Sequence, residues 1–335
     1  MRRRHGVYRL ATISALGLLL SSSVFPLPSD SATARAAPSP VSVPPLGRPT
    51  VAPQPKLSLS DQPSQVRHVV IISEDGMRPD LIYGQQNMVW HEQLYRNGSF
   101  SWKARTIRTA STLPSHASML SGVDVDQHGL TWNTWLKTRG FIRVPTIFQA
   151  AEENGLKTAA FVGKPKLRHI MPEGTVGTFA RPGYYCKKVS DEAARYIERE
   201  KPELLFVHFS DPDEAGHSDG WMTASYRKAA LASDACLGTI YRALQQAHMI
   251  DETLVIVSAD HGGHARGHTG AIPSDREIPW IASGPGVRRG YHIRSAVSTM
   301  DTAATALAAL GLAPLTRISG RPVSEIFQPA TRTGL

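Results

Sequence analysis

The sequence is poor in cysteine, in long apolar runs and in repeats. It contains only Cys186 and Cys236 among its 335 residues. No cysteine lies directly after the apolar run near the N-terminus, which argues against a lipid-modified protein. No internal repeat occurs, and beyond that first run no segment stays apolar over the length of a membrane-spanning helix. The two cysteines either form a disulfide, as an exported chain permits, or remain buried free thiols.

Clusters of Lys and Arg interleaved with aromatic residues are also missing. The formal net charge is +9, but five arginines and one aspartate before residue 37 account for +4 of it. The remaining excess is modest and suits an anionic substrate. We therefore expect no nucleic-acid binding.

The N-terminal region has the pattern of an export signal. Arginines at residues 2–4 precede an apolar run at residues 10–20, and small residues at 32–34 and 34–36 are typical of a cleavage site. We expect residues 1–36 to be a cleaved signal peptide and the mature protein to be periplasmic or secreted, without stable membrane insertion. The alternative is an uncleaved N-terminal anchor, for which the apolar run is short.

Proline dominates the segment that follows. Residues 37–66 contain eight of the 24 prolines, which removes backbone donors and favours extended polyproline conformation. This composition predicts a disordered linker at 37–66 and a folded domain over residues 67–335.

From residue 67 onward, strand and helix patterns alternate. Short β-rich runs bounded by Gly, Pro or Asp occur at residues 68–73, 157–162, 204–209, 253–258 and 278–283. Helical patterns occur at residues 145–154, 190–200, 223–248 and 300–310. Continuous apolar strands that alternate with amphipathic helices predict an α/β fold, a single domain with a mainly parallel central sheet and helices on both faces.

Three aspartates follow three of these strands. Asp75 comes after the first strand, Asp213 after the strand at 204–209, and Asp260 after the strand at 253–258. A single aspartate in such a place is more often a helix cap or a turn residue. In parallel sheets, however, the ligand crevice lies beyond the carboxyl ends of the strands. We therefore expect the three carboxylates to converge on one rim.

Histidines accompany two of these aspartates. Asp213 and His217 lie four residues apart in DPDEAGH, where Gly216 is expected to permit a tight return. Asp260 and His261 are adjacent, and the Gly-rich segment after them supplies His264 and His268 as rival ligands, of which we favour His268. Carboxylate oxygen and imidazole nitrogen are ligands that Zn²⁺ accepts. The set is sufficient for two divalent metal ions, which together are able to hold both oxygens of an in-line displacement.

A hydroxyl nucleophile is available in RTASTLPSHASMLSG. Pro114 suits the first turn of a helix, so Thr112 is predicted just before a helix N-terminus, where free N–H groups favour a phosphoryl anion. The alternative interpretation is that Thr112 or Ser111 only caps this helix. A metal ion at the hydroxyl would lower its pKa and favour nucleophilic attack.

The ordered set of motifs resembles the alkaline phosphatase superfamily, and especially its type I phosphodiesterase/nucleotide pyrophosphatase branch. The resemblance covers nearly all of residues 67–328. The motifs that carry it are VVIISEDGMRPDLI, STLPSHASMLSGVDVDQHGLTWN, DPDEAGH and SADHGGHARGH. The tail MDTAATALAALGL, followed by GRPVSEIF, is similar to the closing helix and strand of the superfamily.

This resemblance implies a role for each ligand. One ion would be held by Asp75, Asp260, His261 and Thr112, and the other by Asp213, His217 and His268. Thr112 would attack phosphorus and form a phosphothreonine intermediate that is then hydrolysed. Asn133 matches an asparagine that hydrogen-bonds a nonbridging phosphoryl oxygen; its alternative is a turn residue. We expect His128 to be structural.

The substrate class depends on a lysine pair. Lys164 and Lys166 follow a predicted strand in FVGKPKLRHI and are expected to project together toward the phosphoryl group. Similar pairs occur in phosphonoacetate hydrolase and in Thr-dependent alkaline phosphatases, which favours phosphomonoesters or phosphonates, whereas the alternative is a solvated basic loop. Phosphodiester or pyrophosphate cleavage is the alternative interpretation. It is weakened by Ser115, because nucleotide pyrophosphatases usually have Asn at this position.

Two further alternatives are weaker. A sulfatase needs Cys or Ser two residues before the proline and Arg two residues after it, but this chain has Thr112 and His116 there. A metal-binding envelope protein without activity would not need every ligand position filled.

Only seven residues separate His261 from His268, where many superfamily members insert a long segment, so we expect an open site.

Overall fold

The central strand of the sheet is buried on both faces. All seven residues of strand β1 (His68–Glu74) are buried in the computed structural model, which describes residues 66–84 and 87–328. Val69 and Ile71 belong to one hydrophobic core, while Val70 and Ile72 belong to another. Successive side chains of a strand point to opposite faces, so this strand needs helices on both sides.

The described residues contain eight strands and ten α-helices. The other strands are β2 (Ser99–Arg105), β3 (Thr158–Val162), β4 (Thr178–Ala180), β5 (Leu204–Phe209), β6 (Thr253–Ser258), β7 (Glu277–Ser283) and β8 (Tyr291–His292). The helices are α1 (Pro79–Gly84), α2 (Val89–Arg96), α3 (Thr112–Ser121), α4 (Val125–His128), α5 (Ile147–Glu153), α6 (Cys186–Glu200), α7 (Asp211–Asp219), α8 (Ala224–Gln246), α9 (Pro273–Arg276) and α10 (Asp301–Ala309).

The strands form one sheet in the order β4-β3-β5-β1-β6-β7-β2-β8. Within the described chain only β7 runs against the other strands, pairing antiparallel with β6 and with β2. The pairs β5-β1 and β1-β6 are parallel and in continuous register. The predicted α/β fold with a mainly parallel sheet is therefore confirmed, and the carboxyl ends of β5, β1 and β6 lie side by side.

Helices cover both faces of this sheet. On one face α6 and α8 pack on the core that contains Val70 and Ile72. On the other face α3, α5 and α10 pack on the core that contains Val69 and Ile71. A disulfide between Cys186 of α6 and Cys236 of α8 joins the two helices of the first face, with a Cα–Cα distance of 6.0 Å. The sequence left two interpretations of the cysteines open, a disulfide or two free thiols, and the structure contains the disulfide.

Two features of the structure differ from the sequence expectations. Strand β2 was not anticipated because its residues alternate between buried and partly exposed, whereas the other strands are continuous apolar runs. The expected closing strand in GRPVSEIF is instead a short 3₁₀ helix (Ser324–Ile326) with one isolated bridge between Val287 and Phe327. Pro322 has no N–H to contribute to a ladder at this point.

Most of the N-terminal predictions concern residues that the structure does not describe. The signal peptide at 1–36 and all of the linker at 37–66 except Val66 lie outside the described residues. Val66 is buried, so the folded domain includes at least this residue. None of the described helices combines the length and the apolar character needed to cross a membrane.

A buried charge network holds the carboxyl end of β1. His91 of α2 donates from Nε2 to Glu74 (2.6 Å) and from Nδ1 to Asp234 of α8 (2.7 Å). Asp234 also accepts the backbone N–H groups of Trp90 and His91, and Ser233 donates to Glu74. Both imidazole nitrogens donate, so His91 is an imidazolium. Burial lowers its pKa, but the Glu74 charge and both hydrogen bonds outweigh burial and raise the pKa to about 9.

This network predicts a loss of stability at alkaline pH. The pKa of His91 is about 9 in the folded chain against an ordinary value of 6.5. The stabilisation is therefore complete below pH 6.5 and disappears as pH rises through 9, by about 3 kcal/mol of unfolding free energy. Urea unfolding across this range should show the decline in the wild type and not in His91→Gln. His248→Asn, at an exposed histidine, should keep the wild-type slope; an equal slope in His91→Gln would contradict the assignment.

Candidate functional site

Three carboxylates meet at the adjacent ends of β5, β1 and β6. Asp75 follows β1, Asp260 follows β6, and Asp213 lies in the first turn of α7 after β5; all three are buried. The Nε2 atom of His261 lies 3.5 Å from Asp75 Oδ1, 3.9 Å from Asp213 Oδ1 and 3.3 Å from Asp260 Oδ2. The structure thus brings together the three aspartates that the strand pattern singled out.

The same three oxygens lack hydrogen bonds. Asp75 Oδ1, Asp213 Oδ1 and Asp260 Oδ2 are buried and have no hydrogen-bond partner among the described residues. Buried polar atoms are normally paired, and an unpaired carboxylate oxygen is costly. Three such oxygens around one imidazole nitrogen therefore fit a bound cation.

Three histidines present their lone pairs to this region. His217, His261 and His268 have Nδ1 within 3.0, 2.8 and 2.7 Å of the carbonyl oxygens of Arg266, Gly262 and Ala110. A carbonyl only accepts, so each Nδ1 carries a proton, and Nε2 is the atom left to bind a metal ion. Burial lowers the pKa of His261, and it lowers that of His268, beside His261, to about 4. Neutral imidazoles of this kind are metal ligands.

The ligand atoms form two overlapping groups. Asp213, His217 and His268 constitute one group, and Asp75, Asp213 and His261 constitute the other; within each group the ligand atoms lie within 4.8 Å of one another. Asp260 belongs to neither group by this measure, although its free oxygen faces His261. His264 lies outside both groups, and its Nδ1 is 2.6 Å from Asp275.

The Asp213–His217 pair is presented by a helix and not by a tight return. Both residues lie on α7, four positions apart and therefore on one face of the helix. Gly216 serves a different purpose from the one expected: a Cβ atom there would lie 2.6 Å from the ring of Trp221. The indole of Trp221 donates to the carbonyl of Gly76 (2.9 Å). Gly216 thus permits close packing against the turn after β1.

The turn at Gly76, directly after Asp75, helps to position the other two aspartates. Its φ of +71° is in the left-handed region, and a Cβ atom there would lie 3.0 Å from the Cα of Asp213. Its backbone N–H donates to Asp260 Oδ1 (3.1 Å). This one turn therefore orients Asp260 and permits Asp213 to approach.

Lys164 is buried between two of the aspartates. Its Nζ atom lies 2.8 Å from Asp75 Oδ2 and contacts Asp213 Oδ2. The solvated-loop interpretation is wrong for this residue, since its side chain is 3% exposed. Lys164 uses the Oδ2 atoms, so the two Oδ1 atoms remain available for a metal ion.

One lysine does not balance three carboxylates. Burial raises the pKa of Asp75, but the Lys164 ammonium and the hydrogen bond from His208 lower it well below its usual range. Burial, together with the Asp75 and Asp213 charges, raises the pKa of Asp260 well above its usual range. The excess negative charge at this rim favours a further cation.

Thr112 faces the same cluster. It is the first residue of α3, is buried, and its hydroxyl oxygen lies 3.4 Å from His261 Nε2. Neither capping interpretation applies, because Ser111 is at the cap position without a side-chain cap bond and Thr112 is inside the helix. Ala110, which accepts from His268, has a φ of 36°. Such strained backbone often accompanies functional sites.

Asn133 and Lys166 lie together beside helix α3, which begins with Thr112. Asn133 Oδ1 accepts from the Leu113 backbone N–H (2.9 Å) and from Lys166 Nζ (3.2 Å). Lys166 is partly buried, and burial together with the neighbouring Lys164 charge lowers its pKa. The two lysines therefore differ: Lys164 is enclosed by carboxylates and Lys166 is beside Asn133.

Two supporting histidines were not anticipated. His208 of β5 donates to Asp75 Oδ2 (3.0 Å), and its Nδ1 accepts from Gly163 (3.3 Å). His116 of α3 lies between the Thr112 carbonyl (2.8 Å) and Ser73 (2.8 Å). The single histidine in the LLFVHF strand was a visible signal, whereas the role of His116 depends on how α3 packs. His128 is structural as expected, paired with Ser118 and Leu130.

Curated proteins similar in sequence are phosphoester enzymes by name. They include bovine ectonucleotide pyrophosphatase/phosphodiesterase family member 3 (23% identity, 58% of this chain, 24% of that protein). Rat family member 7 (22% identity) is matched over 60% of this chain and 51% of its own length. A 2,3-bisphosphoglycerate-independent phosphoglycerate mutase from Pseudomonas putida (24%) is matched over 68% and 42%. The chain thus spans between about a quarter and about half of these relatives.

Solved structures and a family model agree on the fold. Murine ectonucleotide pyrophosphatase/phosphodiesterase 5, an inactive variant in complex with AMP, superposes with a TM-score of 0.67 at 13% identity, over 78% of this chain and 100% of that one. The phosphonate monoester hydrolase from Silicibacter pomeroyi gives 0.63 at 14% identity, over 79% and 78%. The model of type I phosphodiesterase / nucleotide pyrophosphatase matches residues 69–272, more than half of the chain. The chain therefore belongs to the type I phosphodiesterase / nucleotide pyrophosphatase family, within the alkaline phosphatase superfamily.

Proposed function

We propose that this protein is a phosphoric ester hydrolase that uses two divalent metal ions, which we assign as Zn²⁺, and Thr112 as the nucleophile. The observation that carries the proposal is the set of three buried, unpaired carboxylate oxygens around His261, with the Thr112 hydroxyl 3.4 Å from the same nitrogen. Three histidines complete a donor set of oxygen and nitrogen that Zn²⁺ accepts. Family membership supports the same reaction class.

The ligands divide between two ions. Asp75, Asp260, His261 and Thr112 would hold one ion, and Asp213, His217 and His268 the other. When bound, the ions would lower the pKa of the nucleophile and neutralise charge on the phosphoryl oxygens. The free Oδ1 atom of Asp213 lies 3.9 Å from Nε2 of both His261 and His268, which places this oxygen between the two groups.

The chain's own residues perform the substitution at phosphorus. The Thr112 hydroxyl gives its proton to solvent and its oxygen attacks phosphorus, while the bond from phosphorus to the leaving-group oxygen breaks and that oxygen takes a proton from solvent. The product is a phosphothreonine. Water then attacks its phosphorus, the bond to the Thr112 oxygen breaks, phosphate leaves and the hydroxyl is restored. His261 and α3 hold Thr112 in place. Lys164 balances Asp75 and Asp213, while Lys166 and Asn133 face the phosphoryl oxygens.

Lys166 beside Asn133 favours substrates with more than one negative charge on phosphorus. A phosphomonoester or phosphonate carries about one charge more than a diester, so a second cation at this end stabilises it more. The alternative is a phosphodiesterase or nucleotide pyrophosphatase, which the relatives' names favour. Sulfatase activity lacks its Cys or Ser at position 112. A non-catalytic metal-binding envelope protein would explain the carboxylates but not the buried Thr112 hydroxyl beside them.

Export is part of the proposal. The predicted signal peptide at residues 1–36 and linker at 37–66 would deliver the folded domain to the periplasm or the medium. A small phosphorylated compound is the expected substrate, and no nucleic acid is expected as a partner.

The first test removes the nucleophile. Thr112→Ala should lower kcat/KM on nitrophenyl phosphate by about a thousandfold or more, because the hydroxyl makes the bond to phosphorus. Metal content, measured by inductively coupled plasma mass spectrometry, should stay within about twofold. Thr112→Ser, which retains a hydroxyl, should recover part of the rate. Full activity in Thr112→Ala would exclude the covalent mechanism.

A second test counts the ions. His217→Ala and His268→Ala each remove one ligand of the ion that Asp213, His217 and His268 would hold, so zinc per chain should fall from about two toward one. His264→Ala is the matched control, since His264 belongs to neither group of ligand atoms, and it should retain two. Equal zinc loss in all three variants would contradict the ligand assignment.

A third test separates the lysines. Lys166→Ala should reduce turnover of a nitrophenyl phosphate monoester by about tenfold more than that of a nitrophenyl phosphodiester, since the substrates differ by about one charge. Lys164→Ala should reduce both alike, because Lys164 contacts Asp75 and Asp213. Equal losses on both substrates in Lys166→Ala would return Lys166 to a structural role and favour the diesterase alternative.

A further inference from the structure

The segment after Asn133 carries a group of exposed apolar side chains. We name residues 132–143 the aromatic loop. Trp135, Leu136 and Phe141 are 38%, 42% and 39% exposed. They are three of the seven large apolar side chains that are exposed among the described residues. Scattered single apolar residues on a surface need no explanation, but a group within one loop indicates an interaction site.

His169 holds the rings of this loop together. Its imidazole lies 4.4 Å from the Trp135 ring, 5.4 Å from the Trp132 ring and 6.2 Å from the Phe141 ring, centroid to centroid. Its Nε2 accepts from the Leu136 backbone, and its carbonyl accepts from the Ile142 backbone (2.8 Å). The exposed rings therefore belong to an ordered surface.

The same loop carries cations that form no ion pairs. Lys137, Arg139 and Arg143 are exposed, and none of them pairs with a carboxylate of any described residue, although the guanidinium of Arg139 lies over the Trp132 ring, 5.3 Å from its centroid. Elsewhere on the surface, exposed bases such as Lys187 and Arg195 pair with nearby carboxylates. No Asp or Glu occurs between residues 127 and 151. Exposed apolar rings and unpaired positive charge thus coincide on one segment.

We propose that the aromatic loop docks on the surface of an anionic lipid bilayer. Trp and Phe rings with a neighbouring Leu insert at the interface between headgroups and acyl chains, while Lys and Arg attract anionic headgroups. Such binding is peripheral and reversible, because one loop inserts and none of the described helices is long and apolar enough to span the bilayer. Asn133 precedes Trp135 by two residues and contacts Lys166, so docking would bring the site's rim to the headgroup layer. The inference does not depend on catalysis.

The test is co-sedimentation of the full chain with vesicles. Equimolar phosphatidylcholine and phosphatidylglycerol should bind the protein, and phosphatidylcholine alone should bind it at least about tenfold more weakly. High salt should release it. Trp135→Ala with Phe141→Ala, and separately Lys137→Gln with Arg139→Gln, should each lower the partition coefficient about tenfold. Tyr83→Ala, at a side chain that is 58% exposed, and Lys187→Gln are the matched controls and should bind as the wild type does.

Hydrogen exchange locates the contact independently of the N-terminal segment. Mass spectrometry of the same mixtures should show slower exchange over residues 134–142 with anionic vesicles. Unchanged exchange there, or wild-type binding in both double variants, would overturn the proposal. Protection of the loop by naphthyl phosphate in solution, and not by vesicles, would overturn it too and assign the surface to a substrate's leaving group. Thermal unfolding of each variant distinguishes these results from misfolding.

Discussion

Charge balance among three buried carboxylates is the constraint on which the rest of this structure depends. Asp75, Asp213 and Asp260 converge in a space that excludes water, where uncompensated negative charge is costly. Lys164 neutralises part of it through the Oδ2 atoms of two aspartates. The oxygens that remain unpaired face neutral imidazoles, which add ligands but no positive charge. A site of this kind is suited to binding a metal cation.

The sheet topology makes this convergence possible. Strand β1 lies between β5 and β6 although it precedes both in the chain, so the segments after three distant strands become neighbours. Parallel strands all end at one edge, and that edge is where backbone groups and loops are free to hold ligands. Thr112 reaches the same edge because α3 begins there with this residue. The His91 network holds Glu74, which is the last residue of β1 and directly precedes Asp75.

Sequence patterns predicted most of the fold and the composition of the site. Continuous apolar runs located five strands to within about a residue, because fully buried strands have a strong signal. Strand β2 was missed since it is half buried and lies near the edge of the sheet. The pairing of Asp213 with His217 was anticipated, but its geometry was not, because a spacing of four suits a helix as well as a turn. The assignment of Gly216 changed for the same reason: the ring of Trp221, which requires the glycine, is a tertiary neighbour.

The sequence by itself determined the fold class and the functional groups that are available. These are an α/β sheet, aspartates and histidines after its strands, a threonine at a helix start and a lysine pair. Residue type and local periodicity are properties of the chain alone. Only the tertiary structure decided how those groups divide their work. It enclosed Lys164 between carboxylates, directed Lys166 to Asn133, committed His264 to Asp275 and joined the two cysteines. Such assignments depend on distances between segments far apart in sequence, and those distances exist only once the sheet has formed.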